Sequence, residues 1–107
     1  MKRGDLVTIA LSGDDGKPRP ALVIQSDLFA AHPSVTILPV TSELPDAPLF
    51  RIDVKPTSDN GLRNVSAVMV DKSQTVSRAR IGSSIGRLDD DSMLAVTRAL
   101  AVFLGFA

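Results

Sequence analysis

The sequence predicts a mainly β fold that ends in a single α-helix. Several short runs of β-branched residues are separated by turn signals, and the last stretch changes to a helical period. Many short strands followed by one terminal helix indicate a small, strongly bent sheet or barrel with the helix packed against it. At 107 residues the chain has the usual length of one domain, so we expect a single domain over residues 1–107.

The first three predicted strands lie in the N-terminal half. Residues 6–11 are short and β-branched, which favours a first strand, and residues 12–16 form a turn-rich loop after it. Residues 21–25 show no polar alternation, which predicts a central strand covered on both faces. Residues 34–41 form the third strand, where Pro39 suggests an edge or a bulge because proline cannot donate to the ladder.

Shorter strands alternate with turns in the second half. Two prolines place residues 43–48 in a loop, and the clean alternation of apolar and charged side chains over residues 50–54 predicts a half-exposed strand. Asp59-Asn60-Gly61 is a strong turn signal. Further segments are predicted as a strand (residues 66–70) and as short final strands or turns (residues 80–82 and 85–88).

The C-terminal segment has the pattern of an amphipathic helix. Its apolar side chains fall at i, i+3, i+7, i+10 and i+11, on one helical face: Met93, Val96, Leu100, Phe103 and Leu104. The aspartates at 89–91 supply an N-cap and favourable charge at the positive end of the macrodipole, and Gly105 suits the position after the last turn. Burying each large apolar side chain is worth about 1.5–3 kcal/mol, so the helix should dock on the sheet.

Charge and aromatic content restrict the function classes. The 12 basic residues match the 12 acidic ones, so the formal net charge is zero. A protein that coats nucleic acid needs a large positive excess, and nucleic-acid activity must therefore come from a local basic pocket. Tyr and Trp are absent and only four Phe are present, which argues against a platform that stacks several bases.

Residue types also limit the chemistry. The absence of cysteine excludes disulfides, thiolate catalysis and cysteine-ligated zinc. The single histidine, His32, cannot build a histidine-rich metal site and lies in a turn, where a solvated loop residue is the simpler interpretation. Helix capping explains the aspartates at 89–91 better than a metal site does. With no signal peptide and no apolar run of membrane-spanning length, we expect a cytoplasmic protein with no cofactor, metal ion or membrane partner.

One arginine stands between two prolines at the start of the second strand. Pro18 and Pro20 each fix their own φ and push the preceding residue toward extended backbone, so Arg19 enters the strand on a stiffened segment. A rigidly placed cation suits anion recognition, although an ordinary surface arginine at a loop-to-strand junction fits the sequence equally well. Thr41 and Ser42 offer adjacent hydroxyls that can donate to a phosphate oxygen or cap their own backbone.

A second basic spot follows Asp71. Arg78 and Arg80 lie beyond it in the chain, where a solvated loop is the simpler interpretation. Together, arginine, hydroxyl and carboxylate groups without metal ligands fit metal-independent chemistry on a phosphodiester.

Across nearly its whole length the chain resembles the MazF/PemK family of bacterial toxin endoribonucleases. The segments that carry the resemblance are residues 3–7 (Arg-Gly-Asp-Leu-Val), 16–27 (Gly-Lys-Pro-Arg-Pro-Ala-Leu-Val-Ile-Gln-Ser-Asp), 39–42 (Pro-Val-Thr-Ser), 68–75 (Val-Met-Val-Asp-Lys-Ser-Gln-Thr) and 85–90 (Ile-Gly-Arg-Leu-Asp-Asp), the last running into a helix that ends Phe-Leu-Gly at 103–105. The resemblance implies a small SH3-like bent barrel with a C-terminal helix, of the MazF/CcdB-like kind, assembled as a homodimer.

The resemblance also implies an activity. Family members cut single-stranded RNA, including mRNA, at short sequences without a metal ion, and leave a cyclic phosphate and a 5′-hydroxyl. Arg19 and Thr41 match the catalytic arginine and threonine of the family, and Asp71 matches an acidic residue that contacts substrate. We expect four residues to bind substrate: Lys17, Ser42, Phe50 and Asp71. Residues 12–17 match the mobile loop that lies over the RNA in the family. A cognate antitoxin with an acidic, partly disordered tail is the implied protein partner.

The general base is the open part of this mechanism. Arg19 can stabilise charge on the phosphate through a planar fork, but its pKa above about 12 keeps it protonated and makes it a poor base. Some relatives place a histidine or glutamate in the loop before the arginine, whereas this chain has Asp14 and Asp15 there. We therefore hypothesise that Asp14, Asp15 or Asp71 acts as a weak base.

Three other functions remain open from the sequence. A non-enzymatic gyrase poison like the CcdB toxins shares the fold, but those toxins end in an aromatic–glycine–isoleucine tail and this chain ends Leu-Gly-Phe-Ala at 104–107. An SH3-like peptide-binding module would need Tyr or Trp to line its groove. A degenerate toxin that only binds an antitoxin is the third alternative.

Overall fold

The computed structural model describes residues 1–10, 17–44 and 46–107. Within these residues the chain forms seven strands and one α-helix: β1 Asp5–Ile9, β2 Arg19–Val23, β3 Ser34–Thr41, β4 Arg51–Val54, β5 Ser66–Met69, β6 Gln74–Ser77, β7 Ile81–Arg87 and α1 Asp90–Leu104. This confirms the expected mainly β fold with a C-terminal helix. The expected end of β1 at Leu11 and the loop at residues 12–16 lie outside the described residues.

Strand β3 is the centre of the sheet. The strands follow the order β4-β5-β3-β2-β1-β7 with antiparallel pairing throughout, and β6 pairs with the first half of β3. Residues 37–39 of β3 pair with β2, whereas residues 40 and 41 pair with β5. Because β3 changes partner along its length, the sheet bends there. Among the described residues no ladder joins β4 to β7, so the expected barrel is an open bent sheet rather than a closed one.

Alternation along the strands divides the apolar residues into two clusters. Leu6, Leu22 and Leu38 belong to the main core, which also receives Val96 of the helix. Their chain neighbours lie in the second cluster, on the other face of the sheet: Val7, Ala21, Val23 and Ile37. Successive residues of β2 are therefore buried on opposite faces, as expected for a central strand. Pro39 lies within this buried strand and not at an edge.

The helix begins and ends as its sequence predicts. The Asp89 carboxylate accepts a hydrogen bond from the backbone N–H of Ser92 at 3.0 Å, and Gly105 ends the helix with φ of 82°. Val96 is fully buried against the sheet. No helix in the described part of the chain has the length and apolar character needed to cross a membrane.

Two segments differ from expectation. The segments expected as short strands or turns at residues 80–82 and 85–88 form one strand, β7, because it pairs with β1 along its length. Gly86 is needed where a turn comes close, because a Cβ at this position would clash with the carbonyl oxygen of Asp59. Residues 74–77, which the sequence analysis does not predict as a strand, form β6 on the edge of β3. Tertiary pairing, rather than local propensity, makes both strands.

Candidate active site

A cleft of about 920 Å³ opens where β2 begins and β3 ends. Most of its lining comes from residues 18–20 before and within β2, residues 39–43 at the end of β3, and residues 61–64 in the turn after β4. Side chains of β1, β5, β6 and β7 and of the turn after β5 complete it: Thr8, Ser66, Met69, Lys72, Gln74 and Ile85. Arg19, Thr41 and Ser42 are among these residues, so the structure brings together three of the side chains that the sequence singles out.

A proline explains why the cleft opens at this point. The last described pair between β2 and β3 is Ala21 with Pro39, and the next residue of β2 toward the cleft is Pro20. The backbone N–H of Ile24 donates to the carbonyl of Thr36, so the nitrogen of Pro20, an even number of residues away, faces β3. Pro20 has no N–H to donate there, so the ladder ends and β3 turns to pair with β5. Extending the same register by two residues would set Arg19 opposite Thr41. The two side chains therefore approach the cleft from facing strand ends.

Alternation places both side chains on the same face. Arg19 shares the odd-numbered face of β2 with Ala21 and Val23, and Thr41 continues the odd positions of β3. Arg19 is exposed and Thr41 is half-buried. The main core lies on the opposite face, so neither side chain is needed to fill it.

The Thr41 hydroxyl is oriented by its own chain. Its oxygen accepts a hydrogen bond from the backbone N–H of Glu43 at 3.1 Å, which is a Ser/Thr turn at the strand end. A hydroxyl that accepts through one lone pair keeps its hydrogen for another acceptor. The turn therefore leaves Thr41 able to donate to an anion in the cleft. Both uses of this hydroxyl that the sequence left open, capping and donation, are compatible.

The cleft has a local positive excess although the whole chain is neutral. Its described lining contains three cations, Arg19, Arg63 and Lys72, and one carboxylate, Glu43. A groove with this excess attracts a phosphate-bearing chain at close range. Arg63, Lys72 and Glu43 are site residues that the sequence reading missed. Of these three, only Glu43 could have been predicted from its neighbours in the sequence, because it directly follows Thr41 and Ser42.

Asp71 does not line this cleft. Its carboxylate receives two hydrogen bonds from the Arg51 guanidinium, Nε to Oδ1 at 2.8 Å and Nη2 to Oδ2 at 3.2 Å. These bonds hold the pKa of Asp71 below its ordinary value, since they favour the charged form. A carboxylate stabilised in this way is a weaker proton acceptor. The structure therefore disfavours the hypothesis that Asp71 is the general base.

Two other expected substrate contacts lie elsewhere. Phe50 is half-buried at the edge of the main core, and its ring centroid lies 6.4 Å from that of Phe103 on the helix. Lys17 is exposed just before Pro18 but does not line the described cleft. Asp14 and Asp15, the remaining candidates for the base, lie outside the described residues.

The other polar groups weighed from sequence have structural roles. The Arg78 guanidinium donates to the backbone carbonyls of Ala30 and His32, and so joins the residues after β6 to the turn before β3. Nδ1 of His32 accepts from the backbone N–H of Ser34 at 3.1 Å within the same turn. The cavity beside Arg78 has a volume of only about 10 Å³, about the minimum for one water molecule. The basic spot is therefore a hydrogen-bonded brace rather than a solvated loop.

Comparison with known proteins identifies the family of this chain. The family described as PemK-like, MazF-like toxin of type II toxin-antitoxin system matches residues 2–104. A protein of Mycolicibacterium smegmatis named "Probable endoribonuclease MazF" is 49% identical over 108 residues, covering 100% of this chain and 99% of that protein.

Solved structures show the same fold. The Mycobacterium tuberculosis toxin MazF-mt6 superposes with a TM-score of 0.81 at 24% identity, covering 94% of this chain and 96% of that chain. The toxin–antitoxin complex MazE-MazF (Form-II) of Deinococcus radiodurans matches with a TM-score of 0.78 at 25% identity, covering 98% and 95%. With a family match over almost all of its residues and a relative nearly half identical along its full length, this chain belongs to the PemK/MazF family of toxins of type II toxin–antitoxin systems.

Proposed function

We propose that this chain is the toxin of such a system and acts as an endoribonuclease that cuts single-stranded RNA, including mRNA, at short sequences without a metal ion. The observation that carries the proposal is the shared cleft of Arg19 and Thr41, which has a positive excess and is open enough for an extended chain. Its relative from Mycolicibacterium smegmatis carries the name of an endoribonuclease. The comparisons give no support to a gyrase poison.

The reaction needs charge stabilisation more than it needs a strong base. The ribose 2′-oxygen attacks phosphorus, the bond from phosphorus to the 5′-oxygen breaks, and the products are a cyclic phosphate and a 5′-hydroxyl. The 2′-proton leaves to a base, and the 5′-oxygen takes a proton from an acid or from water. Arg19 can donate two parallel hydrogen bonds to the phosphate oxygens, where negative charge accumulates in the transition state. Thr41 adds a neutral donor to the same group.

The proposed roles of the other site residues follow from their positions in the chain and in the structure. Ser42 neighbours Thr41 in the cleft and is proposed to contact the same phosphate or its ribose. Lys17 precedes the arginine and is proposed to bind RNA backbone. Asp14 and Asp15 remain the proposed bases. Because Asp71 is held by Arg51, its proposed contribution acts through that arginine and not through proton transfer.

Two protein partners are proposed. Structures of two matched toxins are complexes with antitoxins, a mycobacterial endoribonuclease with its cognate antitoxin and the MazE-MazF complex of Deinococcus radiodurans. An acidic antitoxin tail would be attracted to the same cations as RNA and would compete with it for the cleft. We also propose a homodimer, and a cytoplasmic place of action because the RNA substrate is there.

The test is cleavage of a long RNA in excess EDTA, with a gyrase supercoiling assay in parallel. The protein should give discrete cuts, and Arg19→Ala should lower their rate by about 10²–10³-fold, the cost of removing one donor to a developing oxyanion. Arg98→Met removes an exposed arginine on the helix and serves as the matched control. Circular dichroism should show that all three proteins are folded.

The result separates the alternatives. Intact RNA with the unmodified protein, or full activity of Arg19→Ala, would refute the proposal. Inhibited gyrase with intact RNA would favour the CcdB-like poison. Binding to the antitoxin without either activity would identify a degenerate toxin.

A further inference from the structure

A second cavity of about 570 Å³ adjoins the cleft. Thr41, Glu43 and Met69 line both spaces, and Leu44 and Arg51 line the second one only. The two cavities are therefore one continuous depression that passes the Thr41 hydroxyl. A chain whose phosphate lies between Arg19 and Thr41 would place an adjacent nucleotide in the second cavity.

Arg51 enters this cavity as a fixed donor. Its bonds to Asp71 use Nε and one hydrogen of Nη2, and both side chains are largely shielded from solvent, at 15% and 16% exposure. The guanidinium carbon also lies 5.9 Å from the ring centroid of Phe50. Of its five N–H groups, the described residues engage only the two that face Asp71. The end of the fork carries the other hydrogens, in a plane that the ion pair sets in advance.

Glu43 and two apolar side chains complete the lining. The Glu43 carboxylate is exposed, and its backbone is tied to Thr41 by the turn described above. Leu44 and the half-buried Met69 offer apolar surface of the kind that covers a flat ring. One cavity thus combines a rigid donor, a carboxylate acceptor and apolar walls.

We infer that this second cavity binds one RNA base beside the cleaved phosphate, and that it selects a base with an exocyclic amine over uracil. Arg51 donates to an acceptor atom of the base, and Glu43 accepts from its exocyclic amino group. Guanine, cytosine and adenine each present a carbonyl or ring-nitrogen acceptor together with an exocyclic amine. Uracil lacks the amine, so it would leave the Glu43 carboxylate without its partner. The inference rests on the proposed ribonuclease function and names a specificity site within it.

The experiment is cleavage of an oligoribonucleotide pool with a randomised central segment, in excess EDTA, with sequencing of the cut ends. The unmodified protein should disfavour uracil at one position next to the cut, by roughly ten- to a hundredfold relative to the bases that carry an exocyclic amine. Glu43→Gln should reduce this discrimination by about tenfold and leave the other positions unchanged, because a glutamine amide can also donate to a uracil carbonyl. Arg51→Met should slow cleavage whichever base occupies that position, since every base has an acceptor for the guanidinium. Asp46→Asn, in the same loop but outside both cavities, and Arg98→Met are the matched controls.

Modified bases then test the contact with Glu43 directly. At the preferred position, inosine in place of guanine, or uracil in place of cytosine, removes the exocyclic amine. The unmodified protein should cleave that substrate about tenfold more slowly, whereas Glu43→Gln should cleave both substrates at similar rates. Because Glu43 is exposed, this variant is expected to fold even if loss of the Arg51–Asp71 ion pair unfolds Arg51→Met.

The outcomes distinguish this inference from the function on which it rests. Absence of cleavage by the unmodified protein would refute the proposed function. Specific cleavage without discrimination against uracil at that position, or with discrimination that Glu43→Gln leaves unchanged, would refute the base-binding cavity and leave the ribonuclease intact.

Discussion

Asn60 is the buried polar side chain that holds the turn facing the cleft, and its removal gives the sharpest test of how this fold is stabilised. It is 2% exposed. Its Oδ1 accepts from the backbone N–H groups of Thr57 and Leu62, both at 3.0 Å, and its Nδ2 donates to the carbonyl of Lys55 at 2.9 Å. Asn60→Ala removes all three bonds and leaves two N–H groups and one carbonyl without that partner.

The expected loss follows from those three groups. A buried polar group that loses its partner costs about 1–3 kcal/mol. Lys55 and Thr57 are exposed, so water can reach their backbone in the variant, and the lower end of that range applies. The sum is about 3 kcal/mol, a large part of the roughly 5–15 kcal/mol that stabilises a small domain. With a urea m-value of about 1–3 kcal/mol/M, the unfolding midpoint should fall by about 1–3 M.

Far-UV circular dichroism is the suitable assay, because the chain has no Trp or Tyr to report unfolding by fluorescence. Asn64→Ala is the control: Asn64 is exposed in the same turn region, and its part in the described hydrogen bonds is its backbone carbonyl, which accepts from Ser66. That variant should change the free energy of unfolding by less than about 0.5 kcal/mol. Equal midpoints for the two variants would refute the reasoning from buried hydrogen bonds.

Three further predictions concern the site and the core. Thr41→Val should slow RNA cleavage by about 10²–10³-fold while Thr41→Ser retains most of it, since only valine lacks the donor; equal rates in a gel assay would contradict the role of the hydroxyl. Arg51 lowers the pKa of Asp71, so the ion pair stabilises the fold above the ordinary value of 3.8, and this stability is lost as the pH falls through the lowered value. The urea midpoint of Asp71→Asn should therefore fall less steeply below that pH, and an unchanged slope would count against the pair. Val96→Ala should lower the free energy of unfolding by about 2 kcal/mol through lost burial and a cavity, whereas the exposed Val102→Ala should have almost no effect in the same denaturation assay.

The features that the sequence predicts best have local causes. Strand β3 keeps both of its expected ends, because residues 34–41 are bounded by a proline-containing turn and a polar pair. The helix is predicted equally well, because its apolar period, its aspartate cap and Gly105 are all local features of the sequence. Local signals, namely the flanking prolines and the strand end, also single out Arg19 and Thr41, which the structure places in one cleft. Their catalytic roles come from the family resemblance and are a proposal.

Features that depend on contacts between residues far apart in the sequence could not be predicted from it. Strand β2 runs over residues 19–23 instead of 21–25, because its pairing with β1 extends to Arg19. Strand β6 has one buried residue, Val76, and exists through its pairing with β3. The Arg51–Asp71 pair joins residues 20 positions apart. Simple alternation along β4 predicts that Arg51 is exposed, and only the fold reveals the carboxylate that holds it against the second cavity.

The proposed active site depends on a strand that changes its partner within the sheet. Up to Pro39, β3 pairs with β2, and from Val40 it pairs with β5. If β2 and β3 stayed paired to their ends, Arg19 and Thr41 would be ordinary cross-strand neighbours on a flat ladder, with no space between the strands for a phosphate. Pro20 removes the donor that would continue the ladder, so the strands separate where the two side chains face each other. The same departure carries β3 to β5, beside which Asp71 lies and receives Arg51 from β4. One change of strand partner therefore opens the cleft and places the second cavity next to it.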